Sequence, residues 1–392
     1  MTNPTFDLIV VGAGGGPDEC DISAYLLKPS DASWEDGIIG LEAGSGPGAL
    51  SRILRADPQL FRSEEEGPAT TYTARQIYSF VTCFLVTHAH LDHISSLVLS
   101  AGSLGGGRKR ICATSAVLKD IETAFSNRLW PNLASWDKDD SPQKYLYTSL
   151  QADSTNYNPL LPQISVRPMT ISHGCNNQGE YDSTAFFLKH NKTGSEFLFF
   201  GDVESDVVSS SRRGGEVAER VVGGLGKVWK VCAPKIPLVL SAIFIECSWA
   251  QDRPDALLFG HLKPEHLVNE LKVLAEEVTA LRRSRASSGA RAVQQPARKK
   301  RRKINGVHDI RGADPHHYTP LAPFPPSSST SPPPLAGVRI FITHCKEDFK
   351  RHLGANREII LSQVKALVEA AGLGVEVHAV KQGERIGNVL TH

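Results

Sequence analysis

The chain has 392 residues, of which 41% are hydrophobic and 22% charged, and a net charge of +1. A core of enzymatic size fits that length, and no stretch reaches the roughly 18 uninterrupted apolar residues of a membrane-spanning helix. The charge is uneven: Arg282 to Arg311 hold eleven Lys or Arg against one acid, Asp309, which leaves a mildly acidic remainder unlike the surface of a general nucleic-acid binder.

The opening Met1-Thr-Asn-Pro-Thr-Phe-Asp7 lacks the basic-then-apolar pattern of a signal peptide, so the expected location is the cytosol or nucleus. Asp7–Val11 reads as a strand broken by Gly12-Ala-Gly-Gly-Gly-Pro17, and Ala24–Leu27 and Gly37–Leu41 follow as short extended runs with hairpin-like spacing. Ser79–Thr87 is β-branched and aromatic, as a buried strand should be. A helix is expected from Ser115 to about Phe125, capped by Thr114 or Ser115. Ser135–Pro162 is polar and reads as a long excursion. Strands return at Ile164–Ile171, Thr184–Leu188, Glu196–Phe200 and Pro237–Glu246.

Pro264 suits the first turn of a helix running to about Arg282, with Leu267, Leu271, Leu274, Val278 and Leu281 at steps of three and four. Beyond it, Arg298-Lys-Lys-Arg-Arg-Lys303 and the Pro/Ser-rich Pro315–Pro334 bury too little apolar area to offset chain entropy. A strand at Val338–Thr343 and a helix near Arg357–Ala371 close the chain. The expectation is one mixed α/β domain, residues 1–283 and 336–392, interrupted by a disordered insertion over 284–335. Seven scattered cysteines without a Cys-x-x-Cys pair read as buried thiols.

The chemistry concentrates at His88-Ala-His90-Leu-Asp92-His93. Residues two apart in extended backbone point the same way, so His88 and His90 can share one ion, and a turn at Leu91 aims Asp92 and His93 at a second. Imidazole and carboxylate suit zinc or manganese without any cysteine. Two sites need further donors, and three follow later strands beside glycine: His173, Asp202 and His261. The expected sets are His88, His90 and His173 for one ion, and Asp92, His93 and His261 for the other. Asp202 bridges them, because a carboxylate has two oxygens. Ions roughly 3.5–4 Å apart make a hydrolytic centre.

This pattern resembles the metallo-β-lactamase superfamily and, within it, the class II cyclic-nucleotide phosphodiesterases. The resemblance rests on Gly15-Gly-Pro17, His88-Ala-His-Leu-Asp-His-Ile94 with Ser96-Leu-Val-Leu99, Ser172-His-Gly174, Gly201-Asp202 and Gly260-His-Leu-Lys-Pro264. It implies a metallo-β-lactamase-like αββα sandwich with metal ligands on loops at one sheet edge. It also implies two divalent ions, zinc or alternatively manganese, and hydrolysis of 3′,5′-cyclic nucleotides (cAMP, with cGMP as a second substrate) to 5′-nucleotides. The expected partner is that small molecule, with no membrane and no specific nucleic acid; a homodimer is compatible. Glu42, in Leu41-Glu-Ala-Gly44, departs from the Asp usual in the family's early turn. The alternatives on the same scaffold are a tRNA 3′-end endonuclease and a glyoxalase II-like thioesterase.

His344, ending the last strand, is expected to contact phosphate or protonate the leaving 3′-oxygen, with a structural role as the alternative. Asp92 and His344 are thus the candidate catalytic groups. Glu246 and His344 are the candidate substrate contacts, and Glu246 also suits orienting His344 or His261. Gly12–Gly16 is no dinucleotide fingerprint, because no amphipathic helix follows it; a tight turn near the substrate mouth fits better. Arg298–Lys303 suits a nuclear-import signal or a solvating run.

Overall fold

The computed structural model describes residues 5–62, 71–176, 179–212, 224–293, 332–352 and 354–387. Its strands obey the period of two that a sheet buried on both faces requires. Leu8, Val10 and Phe244 point into a layer between two sheets, whereas Ile9, Val11, Ile243 and Ile245 face outward into helices.

The first sheet contains β1 (Phe6–Gly15), β2 (Ile22–Pro29), β3 (Ile38–Leu41), β4 (Val81–Leu85), β5 (Arg110–Thr114), β6 (Ala134–Ser135) and β7 (Tyr145–Leu150). The second contains β8 (Asn158–Leu161), β9 (Ile164–Asn176), β10 (Gly179–His190), β11 (Glu196–Phe200), β12 (Leu240–Glu246), β13 (Arg339–Thr343) and β14 (Glu376–Ala379). A last short strand, β15 (Arg385–Gly387), returns to the first sheet beside β1. Helices α1 (Pro47–Ala56), α2 (Ala74–Phe80), α3 (Leu91–Ser100) and α4 (Ser115–Ala124) cover the first sheet. After the short α5 (Asp206–Arg212), helices α6 (Leu225–Cys232), α7 (Pro264–Val293) and α8 (Ala355–Ala370) cover the second. The result is the αββα sandwich expected from the sequence.

Phe186, Phe197, Phe199 and Phe244 fill the inter-sheet layer, and burying each such ring contributes about 1.5–3 kcal/mol. Strands β3–β4 and β11–β12–β13 run parallel within their sheets, and their carboxyl ends carry most of the chemistry-bearing residues, as open α/β sheets dispose their sites.

Several expectations are corrected. The glycine run does not break β1, which continues through Gly15 with bulges against β2. Two helices, α1 and α2, occupy ground read as strands and turns. α2 is announced by a capping box, Thr73 with Gln76. The supposed excursion contains β7 and β8. Helix α7 continues to Val293, the last described residue of that stretch, through a run in which Arg and Ala are good helix formers. The insertion therefore begins with helix; Arg298–Lys303 and most of Pro315–Pro334 lie outside the described residues. Five of the seven cysteines are buried, but Cys175 is exposed and Cys20 partly so. No helix among the described residues is long and apolar enough to cross a membrane.

One buried acid outside the site affects stability. Glu270 on α7 accepts hydrogen bonds from the Asp206 backbone and the Trp229 indole, and burial pushes its carboxyl up from 4.5 to about 7. The folded chain thus binds this proton more tightly than the unfolded one. The associated stability is complete below pH 4.5 and lost as pH rises through about 7, on the order of 2–3 kcal/mol. Urea unfolding of Glu270→Gln, which mimics the protonated acid, should lack that fall between pH 5 and pH 8.

Candidate functional site

The seven expected ligands and His344 converge from both sheets. β4 ends at Leu85 and delivers His88 and His90. α3 begins at Leu91, so Asp92 and His93 occupy its first turn. β9 contributes His173, the loop after β11 gives Asp202, the segment before α7 gives His261, and the end of β13 gives His344.

At the centre is Asp202 Oδ2, 2% exposed as a residue and without a hydrogen bond among the described residues. Five imidazole nitrogens surround it: His93 Nε2 and His344 Nε2 at 3.3 Å, and His88 Nε2, His173 Nε2 and His261 Nδ1 at 3.7 Å. A buried carboxylate oxygen without a donor is costly. Such separations instead match the edge, roughly 3.3 Å, of a tetrahedron of donors bound about 2.0–2.1 Å from one cation.

Ligand-capable atoms fall into three overlapping groups: His88, His90, His173 with Asp202; Asp92, His93, Asp202 with His344; and His173, Asp202, Glu246 with His261. The first is the set expected for one ion, with Asp202 shared between groups. In the second, His344 stands where His261 was expected. His344 Nε2 is 3.1 Å from both Asp92 Oδ2 and His93 Nε2. His261 Nδ1 is instead 2.9 Å from Glu246 Oε1.

The hydrogen-bond network assigns the ring nitrogens. Ser248 Oγ donates its proton to Glu246 Oε2 at 2.5 Å and so accepts from His344 Nδ1 at 3.1 Å. His173 Nδ1 donates to the Gly260 carbonyl at 2.9 Å, and His88 Nδ1 meets Thr87 Oγ1 at 3.0 Å. On the far side of its ring, His93 Nδ1 faces the Glu42 carboxylate, 3.5 Å from Oε2. For His88, His173 and His344 the bonded Nδ1 leaves Nε2 with a lone pair toward Asp202 Oδ2.

Electrostatics agree. Burial holds His88 well below its ordinary range and pushes His173 and His261 down to about 4, so these rings are neutral at pH 7. Burial also opposes ionisation of Asp202, but His344 and His93 outweigh it and hold the carboxyl well below the usual range. His93 behaves oppositely to its neighbours: burial would lower it, yet Asp202, Asp92 and Glu42 raise it well above its ordinary value. Metal binding needs neutral imidazole and ionised carboxylate, the forms in which His88, His173, His261 and Asp202 are held.

Glu246 is 1% exposed, and its oxygens take bonds from His261, Val203 N, Leu262 N and Ser248. These four bonds occupy both oxygens of Glu246, the candidate substrate contact, and the one from His261 ties it to that ring. His344 is 1% exposed, and its Nε2 lies among the ligand-capable atoms, 3.3 Å from Asp202 Oδ2. A Cβ on Gly15 would lie 2.4 Å from the His344 ring, so β1 approaches this closely only through glycine.

Three residues escaped the sequence reading. Ser248 and Lys346 stand two positions beyond Glu246 and His344, an offset that an extended strand end would have flagged. Lys346 Nζ donates to the Gly15 carbonyl at 2.7 Å and lies 3.7 Å from Asp92 Oδ2. Tyr181 stacks on His90, and nothing in its spacing announces it.

Comparison with known proteins decides the family. The model of the class II cAMP phosphodiesterases matches residues 58–383. The chain belongs to that family. A 3′,5′-cyclic-nucleotide phosphodiesterase of Schizosaccharomyces pombe is 32% identical over 292 residues, covering 70% of this chain and 76% of the relative. One from Aliivibrio fischeri is 30% identical over 277 residues, covering 69% and 76%. Among solved structures, unliganded yeast PDE1 superposes with a TM-score of 0.71 at 19% identity, covering 99% of this chain and 100% of that one. The metallo-β-lactamase fold protein YhfI from Bacillus subtilis gives 0.50 at 11% identity, covering 97% and 98%. These two likenesses show the metallo-β-lactamase fold.

Proposed function

We propose that the chain hydrolyses 3′,5′-cyclic nucleotides, cAMP and also cGMP, to 5′-nucleotides with two divalent cations, zinc or alternatively manganese. The observation that carries this is the buried, donorless Asp202 Oδ2 among five imidazole nitrogens. His88, His90 and His173 would hold one ion, Asp92, His93 and His344 the other, and Asp202 both. When bound, such a pair supplies a nucleophile at neutral pH and offsets the charge gathering on the phosphoryl oxygens.

The remaining work falls to protein groups. His261, its Nδ1 fixed by Glu246, is neutral and free to accept a proton at Nε2 and return it to the leaving 3′-oxygen. Glu246 steadies the imidazolium that forms in between, as a buried carboxylate does for a catalytic histidine. Lys346, tied to the Gly15 carbonyl, offers a fixed cation at the rim for a phosphate oxygen.

tRNA 3′-end cleavage and thioester hydrolysis are not favoured, because the family model and the two relatives at 30% identity or more are named for cAMP or cyclic nucleotides. A parallel assay of the purified chain with cAMP, cGMP, a tRNA precursor and lactoylglutathione tests the choice. Chelator-sensitive release of 5′-AMP is expected. Turnover confined to the tRNA or the thioester overturns the proposal.

A further inference from the structure

Five of the six imidazoles in the cage have a polar partner at Nδ1. His88 has Thr87, His93 has Glu42, His173 has the Gly260 carbonyl, His261 has Glu246 and His344 has Ser248. His90 is the exception. Its Nδ1 faces the cage, 3.1 Å from His88 Nε2, and among the described residues its other nitrogen has no hydrogen bond. It is also the exposed histidine of its group. An exposed ring without an anchor swings about two bonds, and a metal ligand that swings binds weakly.

What His90 has instead is Tyr181. The two rings are parallel within 1° at a centroid separation of 4.6 Å, a stacked geometry of the kind aromatic pairs favour. Tyr181 stands on β10. Its position follows from a bulge. Pairing of β9 with β10 passes from Ser172–Asp182 to Cys175–Glu180, so His173 and Gly174 together oppose Tyr181. Gly174 has φ 81°, the left-handed glycine such a bulge uses. One irregularity thus turns His173 into the cage and re-aims Tyr181 onto a ligand from the other sheet.

We infer that Tyr181 is a positioning residue that clamps the His90 imidazole by stacking, in place of the polar partner that each of the other five faces, and so sets the affinity of the first ion. This rests on the reading of His90 as a metal ligand. The test is zinc affinity by competition with a chromophoric chelator, which needs no turnover. Tyr181→Ala should weaken one of two zinc ions about 10-fold or more, in the range seen when a ligand's outer partner is removed. Tyr181→Phe, which keeps the ring, should stay close to the natural protein, and this also guards against a folding defect. Unchanged zinc affinity in Tyr181→Ala, with only KM altered, would overturn the clamp and leave a cleft wall. His90→Ala separates the two ideas. Loss of an ion there with none in Tyr181→Ala sinks the inference alone, whereas no loss in His90→Ala sinks the ligand reading beneath it.

Discussion

Asp202→Asn is expected to lower kcat/KM for cAMP by at least about 10³-fold, on the order of 4 kcal/mol of transition-state stabilisation, and to remove at least one ion per chain. The substitution is isosteric, so the fold survives. The chemistry does not: an amide oxygen carries no charge, and the new NH₂ group presents hydrogens to imidazole lone pairs 3.3–3.7 Å away. Steady-state kinetics with metal analysis on the same preparation checks both halves. Near-normal turnover with two ions retained would remove Asp202 from the centre of the site.

The second large effect separates two histidines that the sequence could not. His261→Ala should reduce kcat by about 10²–10⁴-fold while both ions stay bound, because the lost group moves a proton. His344→Ala should release an ion. The expectation from sequence alone was the reverse, with His261 as ligand and His344 as acid or phosphate contact. Loss of an ion from His261→Ala, with retention in His344→Ala, would restore it.

That reversal shows what spacing conveys and what it does not. His88, His90, Asp92 and His93 were legible because they are local: a strand end and the first helical turn fix their directions within a few residues. His173, Asp202 and His261 were legible as strand-end residues beside glycine, but their allotment to ions was not. The proposed allotment rests on the contact of Glu246 Oε1 with His261 Nδ1 and on that of Ser248 Oγ with His344 Nδ1. These contacts join β12, α7 and β13, and no periodicity encodes which of two nearby imidazoles a buried carboxylate will hold.

The sandwich itself was visible in the apolar runs, since Phe197, Phe199 and Phe244 sit where alternation puts them. Helix α1 was missed because Gly46 gives it no side-chain cap, and so no polar signal marks its start. Strands β7 and β8 were missed because their residues are only partly buried; half-exposed strands at a sheet margin look polar. Tyr181 was beyond reach for a different reason. A bulge shifts side-chain facing by one residue, which defeats the rule of two that made the rest readable.

The most direct measurement is anomalous diffraction at the zinc edge from crystals grown with zinc. Two peaks roughly 3.5–4 Å apart are predicted, both within bonding distance of Asp202, one beside His88, His90 and His173 and the other beside Asp92, His93 and His344. A single peak, or a pair that does not share Asp202, would contradict the two-ion site.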